Sequence, residues 1–273
     1  MPKFCVPYAA DSQSRFAADM IEIEVIDENV KELREFIENN NPNQTIIVGS
    51  YFSEEENEAL FVDTIAKTKD KNVLYRLEPF FVEQLKSVNI ELPRYVCDWI
   101  CDNWEDYYDI VNNYPVSDVV IMGELLFDLD RVKTVADSHD ITLHASCNGY
   151  VKEYKDKPYL SGFIRPEDIP FYEPYIDVFH INAEHTFDAT RIDTLFDIYT
   201  KDKKWDGQLS LIIANVKADI EGNRLMSNHW AKHRVNCRRD CMKGYPCMIC
   251  KSQLEIAQSL KDVNMAFVKD KQE

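Results

Sequence analysis

The sequence predicts an α/β fold, a (β/α)8 TIM-type barrel carrying a cysteine-rich C-terminal extension. Two observations predict it: eight strand-like apolar runs recur along the chain, and helical patterns fill most of the gaps between them. A third observation is mildly selective. No GxGxxG phosphate loop follows any strand, which counts against a dinucleotide-binding version of the alternative topology, a doubly wound open sheet. A chain of 273 residues suits one barrel plus an extension, and 45% hydrophobic with 12% aromatic content suits a packed core. The barrel is assigned to residues 1–205 and the extension, packed on it, to 206–273.

Residues 1–19 are expected to cap the barrel floor or to add a short strand. The first strand is 20–27 (MIEIEVID), and Val30, Leu33, Phe36 and Ile37 then line one face of a helix over 28–39. Strand 45–51 (TIIVGSY) leads to Ser53 and Glu56, spaced as a capping box that opens the next helix. Strands 72–78 (NVLYRLE), 94–101 (RYVCDWIC) and 118–124 (DVVIMGE) are followed by helical patterns over 79–88, 104–112 and 129–139. Strand 141–147 (ITLHASC) precedes 148–161, a polar stretch that reads as loop where a helix is expected. Strand 162–166 (GFIRP) runs into a turn or short helix over 166–172. Strand 177–182 (DVFHIN) and a helix over 190–201 complete the barrel, and beyond residue 205 the rhythm breaks.

The net charge of −17 argues against a general nucleic-acid coat, because phosphates attract Lys and Arg, though it leaves room for a local basic patch. No apolar run approaches the roughly 20 residues that span a bilayer, so no membrane span is expected. The N-terminal residues MPKFCVPY contain no signal-peptide core. A reducing cytoplasm is the expected location, and clustered cysteines there bind metal more often than they form disulfides.

Four of the eight cysteines fall within one short run, CRRDCMKGYPCMIC: Cys237, Cys241, Cys247 and Cys250, spaced C-x3-C-x5-C-x2-C. Thiolates so close in sequence can converge on one centre, and Gly244 and Pro246 supply the turn between the two halves. Four thiolates suit tetrahedral zinc or an iron–sulfur cluster, and the spacing alone does not decide between them. Cys97 and Cys101 share a strand face and read as buried small hydrophobes, while Cys147 ends a strand near the expected site. His229 and His233 are spaced as one helix face. The basic island formed by Arg224, Lys232, Arg234, Arg238, Arg239 and Lys243 would offset the charge of a thiolate-ligated centre or bind an anionic substrate.

Barrel chemistry belongs at the carboxyl ends of the strands. Those ends supply Asp27, Ser50, Tyr51, Glu78, Asp102, Glu124, His144, Cys147, Asn148, Arg165, His180, Asn182, Glu184 and His185. Glu124 ends a very apolar strand, where a carboxylate needs either a catalytic or a helix-capping reason. Arg165 is placed to clamp a carboxylate or phosphate, or to pair with Glu167 or Asp168. His144 and His180 lie inside strands, where a hydrogen-bonded core histidine is the commoner outcome. Glu184 and His185, just past a strand end, are therefore preferred, and the candidate catalytic set is Glu124, Arg165, Glu184 and His185. Neither a G-x-S-x-G elbow nor an H-E-x-x-H helix is present.

The segments VVIMGELLFDLDRVKTVADSHDITLHASCNG and FIRPEDIPFYEPYIDVFHI, with the late cysteine run, resemble the peptidase U32 (collagenase-like protease) superfamily over about residues 115–250. The resemblance implies a [4Fe–4S] cluster on Cys237, Cys241, Cys247 and Cys250, with zinc as the alternative. It also implies an oxygen-independent hydroxylation of an RNA base or of a small aromatic or peptide substrate, served by an electron donor. The chain departs from that family in packing its cysteines into one run and in lacking the further C-terminal domain of long members. Two other readings stand beside it. One is a non-catalytic protein, stapled by zinc, whose acidic surface suits protein partners; the other is a literal peptidase, for which no nucleophile–base pair is visible.

Overall fold

The computed structural model describes residues 2–148, 164–181 and 188–201. Eight parallel strands close into a barrel in sequence order: β1 (Lys3–Pro7), β2 (Met20–Val25), β3 (Thr45–Ser50), β4 (Val73–Leu77), β5 (Tyr95–Cys101), β6 (Asp118–Ile121), β7 (Thr142–Ser146) and β8 (Val178–His180). The helices are α1 (Ser14–Ala17), α2 (Leu33–Asn39), α3 (Glu55–Thr68), α4 (Pro79–Ser87), α5 (Trp104–Asn113), α6 (Leu129–Ser138), α7 (Ile169–Tyr172) and α8 (Ala189–Lys201). This is the (β/α)8 architecture that the alternating pattern predicted. No described helix is long and apolar enough to cross a membrane.

One strand assignment is corrected. The described part of the expected strand over 162–166 is not in the barrel: Ile164 and Arg165 lie outside any strand, and Pro166–Asp168 forms a 3-10 turn. The eighth strand comes instead from the N-terminus, where β1 pairs with β2 on one side and β8 on the other. Because β7 pairs directly with β8, matching His144 to Val178 and Ser146 to His180, no open edge remains between them to receive residues 164–166. Ile164 donates its N–H to the Cys147 carbonyl at 2.8 Å, which ties this segment over the end of β7.

Strand alternation sorts side chains to two sides. The outward set, including Phe4, Ile21, Val48, Tyr75, Val119 and Phe179, packs under the helices as one continuous core. The inward set begins as an apolar layer of Cys5, Met20, Ile47, Leu74, Val96, Val120 and Val178. Fully burying an aliphatic side chain of this kind contributes about 1.5–3 kcal/mol. Two residues further along the same strands the inward positions turn polar: Met20 gives way to Glu22 (and then, two further on, Glu24), Leu74 to Arg76, Val96 to Asp98, and Val178 to His180. Alternation therefore places an ionisable set in the carboxyl half of the barrel interior.

The capping box expected at Ser53 and Glu56 does not form. The cap residue of α3 is Glu54, with no side-chain cap bond. Asp27, in the turn after β2, accepts from the Ser53 N–H (3.1 Å), the Ser53 hydroxyl and Asn57 Nδ2 (3.0 Å) instead. The Ser53 hydroxyl is drawn to this carboxylate and away from the helix N-terminus, and the bonds, led by the Ser53 hydroxyl, hold the Asp27 carboxyl below its ordinary range.

Candidate active site at the carboxyl end of the barrel

The barrel interior carries a continuous polar chain. At the amino end, Asp118 opens β6 fully buried and accepts Arg94 Nη2 at 2.6 Å and the Ser117 hydroxyl at 2.6 Å. Its other close neighbour is His144 on β7, whose Nε2 stands 3.1 Å from Asp118 Oδ1. His144 Nδ1 lies 2.8 Å from His180 Nε2 on β8. His180 Nδ1 then faces Glu22 Oε2 on β2 at 3.4 Å. The other Glu22 oxygen pairs with Arg76 on β4, which also reaches Glu24 Oε2 at 2.9 Å and Asp98 Oδ1 at 2.8 Å. Six strands thus contribute to one line of charge and imidazole running from the amino rim to the carboxyl rim.

Electrostatics sets the protonation of this line. Burial lowers the affinity of both imidazoles for a second proton; for His180, where the Arg76 charge adds to burial, the pKa falls to about 4. Burial alone would raise Asp118, but the hydrogen bonds of His144 and the Ser117 hydroxyl, with the Arg94 charge, hold it low. Asp118 is therefore a carboxylate in contact with one neutral imidazole, His144. Glu24 moves the opposite way, raised by burial and then by the neighbouring Asp98 charge.

The carboxyl rim beyond this line is open and apolar in part. Tyr51, Trp99 and Ile100 are exposed at the ends of β3 and β5. A cavity of about 1040 Å3 lies at the ends of β1 and β2, lined among others by Tyr8, Asp11, Ile23, Glu24 and Asn29. Glu24, an ion-pair partner of Arg76, is also among the residues that line this cavity.

The residues chosen from sequence distribute differently. Glu124 lies in a 3-10 segment, Gly123–Phe127, and its Oε1 accepts the Trp104 N–H at 3.0 Å, capping α5. Arg165 is 3% exposed and its guanidinium is held bidentately by Asp168, at 2.6 and 2.7 Å, with Glu167 at 3.4 Å. That fork organises the turn before α7. Glu184, His185, Cys237, Cys241, Cys247 and Cys250 lie outside the described residues, as do Asn182, His229, His233 and the basic island. Cys147 is fully buried, and burial pushes its thiol well up, which suits a packed thiol over a nucleophile. Cys97 and Cys101 are likewise buried in the outer core.

Sequence reasoning passed over Cys5, Glu22, Arg76 and Asp118, and ranked His144 and His180 low. A signal was present for Glu22 and Glu24: acids at alternate positions of an otherwise apolar strand, MIEIEV, mark one face, and in a barrel that face is the interior.

No family model matches this chain, and no curated protein matches it either. Among solved structures, the crystal structure of RipC from Yersinia pestis aligns with a TM-score of 0.40 at 9% identity, over 72% of this chain and 95% of that one. A likeness at that level says nothing of activity.

Proposed function

We propose that this chain is an iron–sulfur-dependent modifying enzyme of the peptidase U32 kind, acting at the carboxyl mouth of its barrel. The observation that carries the enzyme reading is the buried line Asp118–His144–His180–Glu22–Arg76. Charges and imidazoles inside a barrel cost stability relative to the apolar layers that fill such interiors, and strained, ionisable interiors are characteristic of catalytic sites. The line ends where barrel enzymes hold their substrates. Burial keeps both imidazoles neutral, so the line presents ring nitrogens rather than fixed positive charge beside Glu22, while burial and Asp98 raise the Glu24 carboxyl at its far end. The exposed Tyr51 and Trp99 favour a flat substrate, an RNA base or a small aromatic ring, over an extended peptide.

The cluster reading rests on the C-x3-C-x5-C-x2-C spacing and the family resemblance. A [4Fe–4S] cluster on Cys237, Cys241, Cys247 and Cys250, with every iron thiolate-ligated, would supply electron transfer from a donor protein. The described barrel residues would orient the substrate and move protons.

Anaerobic purification of the full chain with metal analysis and a visible spectrum tests this reading, alongside a Cys247→Ala/Cys250→Ala variant. The expected result is a brown protein with a broad thiolate-to-iron absorption that the variant loses. A colourless protein with one tightly held zinc on these cysteines would overturn it and make the run a structural staple.

A further inference from the structure

Proton counting exposes a deficit in the buried line. Asp118 and Glu22 stand at its two ends, and a carboxylate only accepts hydrogen bonds. Between them lie three contacts: Asp118 to His144, His144 to His180, and His180 to Glu22. Two neutral imidazoles bring two N–H groups, one fewer than the contacts. The tautomers follow from the ionised end. Asp118, fixed as an acceptor by Arg94 and Ser117, takes the His144 Nε2 proton, so His144 Nδ1 accepts from His180 Nε2. His180 Nδ1 is left as a bare lone pair aimed at a carboxylate oxygen. The distances agree: the contacts with a proton measure 3.1 and 2.8 Å, and the one without measures 3.4 Å.

Two acceptors held face to face in a buried site repel each other unless a cation lies between them. A third donor atom converges there: the ligand atoms of Cys5, Glu22 and His180 all lie within 4.8 Å of one another. Donor atoms of a tetrahedral zinc, at 2.0–2.3 Å from the metal, stand roughly 3.3–3.8 Å apart, so a contraction of about an ångström closes the set. Glu22 is divided suitably, with Oε1 on Arg76 and Oε2 free for the ion. The backbone fixes the other two ligands, since Cys5 and His180 are direct partners across β1 and β8.

We propose that Cys5 Sγ, Glu22 Oε2 and His180 Nδ1 form a buried three-ligand zinc site inside the carboxyl half of the barrel, separate from the four-cysteine run. A thiolate, an imidazole and a carboxylate suit zinc, and three protein ligands leave a fourth position for water or substrate, the pattern of catalytic zinc. His144 and Asp118 are its outer partners: they fix the His180 tautomer and raise its basicity, as the carboxylate–histidine arrangement does at zinc centres. The site is independent of the cluster reading and goes beyond it.

Cobalt titration of the full chain under anaerobic conditions tests the site, with wild type compared to Cys5→Ser, Glu22→Gln and Asp118→Asn. In the Cys247→Ala/Cys250→Ala background, where the cysteine run contributes no thiolate band, the expected result is one Co2+ per chain with a thiolate-to-cobalt absorption that a further Cys5→Ser change abolishes and Zn2+ displaces. Glu22→Gln weakens binding, and Asp118→Asn, which touches no ligand atom, weakens it by about 10- to 100-fold. Circular dichroism confirms the fold of each variant, and Asp118→Asn carries the test if Cys5→Ser does not fold. A thiolate band unchanged by Cys5→Ser in that background, or affinity unchanged in both Glu22→Gln and Asp118→Asn, overturns the proposal.

Discussion

Arg76 is where the interior is most exposed to single substitutions. Its guanidinium is shared among Glu22, Glu24 and Asp98, three acids from two other strands, and removing it leaves their charges facing one another. Arg76→Met should lower stability by about 2–3 kcal/mol, less than for a fully buried pair because the side chain retains 27% exposure. Urea unfolding reads this directly, and an unchanged midpoint would show that the acids do not depend on it. Gly49 makes room for the same arrangement: a Cβ there would stand 2.6 Å from Arg76 Nη2 and 2.7 Å from Glu24 Oε2. Gly49→Ala should therefore cost about 1–3 kcal/mol by forcing that ion pair aside. At this scale the sequence was partly legible. The alternation of acids in MIEIEV pointed inward, whereas the meeting of His144, His180 and Asp118 depends on the relative register of three strands, which no single strand records.

Between elements, the same registers set a pH dependence. His180 titrates near 4 in the fold and near 6.5 in the unfolded chain, so unfolding takes up a proton between those values. Its contribution is complete above about pH 6.5 and is lost as the pH falls toward about 4, by on the order of 3 kcal/mol. His180→Gln should flatten the stability profile in that window. A wild-type profile already level from pH 6.5 to 4 would mean that His180 is protonated in the fold. A second inter-element contact is a borrowed cap. Asp193 on α8 accepts the N–H groups of Gln13 and Ser14 and the Ser12 hydroxyl, at 3.0, 2.7 and 2.6 Å, and these bonds draw its pKa to about 2. Asp193→Asn should cost about 1 kcal/mol, as a lost helix cap does, and should loosen α1 first, seen as faster amide exchange there. Helix positions were legible because their apolar periodicity is local. The failure of the Ser53–Glu56 box was not, because the Ser53 hydroxyl is taken by Asp27, from the distant turn after β2.

For the molecule as a whole, closure depends on its shortest evidence in sequence. β1 is five residues, KFCVP, beginning with an exposed lysine and ending in proline, and little in that run marks it as the strand that seals a barrel. The chain rhythm predicted eight strands correctly, yet counted 162–166 in place of 3–7, because strand propensity is local while closure is not. The structural consequence is testable. Phe4 on β1 is 6% exposed and packs against Phe179 of β8 and Phe196 of α8, at ring-centroid distances of 5.9 and 6.4 Å. β1 alone bridges β2 and β8, and its loss would leave both as unpaired parallel edges. Phe4→Ala should cost about 3–5 kcal/mol, the range for truncating a buried aromatic. A chain starting at residue 19 should lose cooperative unfolding altogether and associate through the freed edges, which calorimetry and sedimentation would register together. A truncated chain that unfolds cooperatively as a monomer would mean that β2 and β8 can close on each other without β1, and that the barrel needs only seven strands.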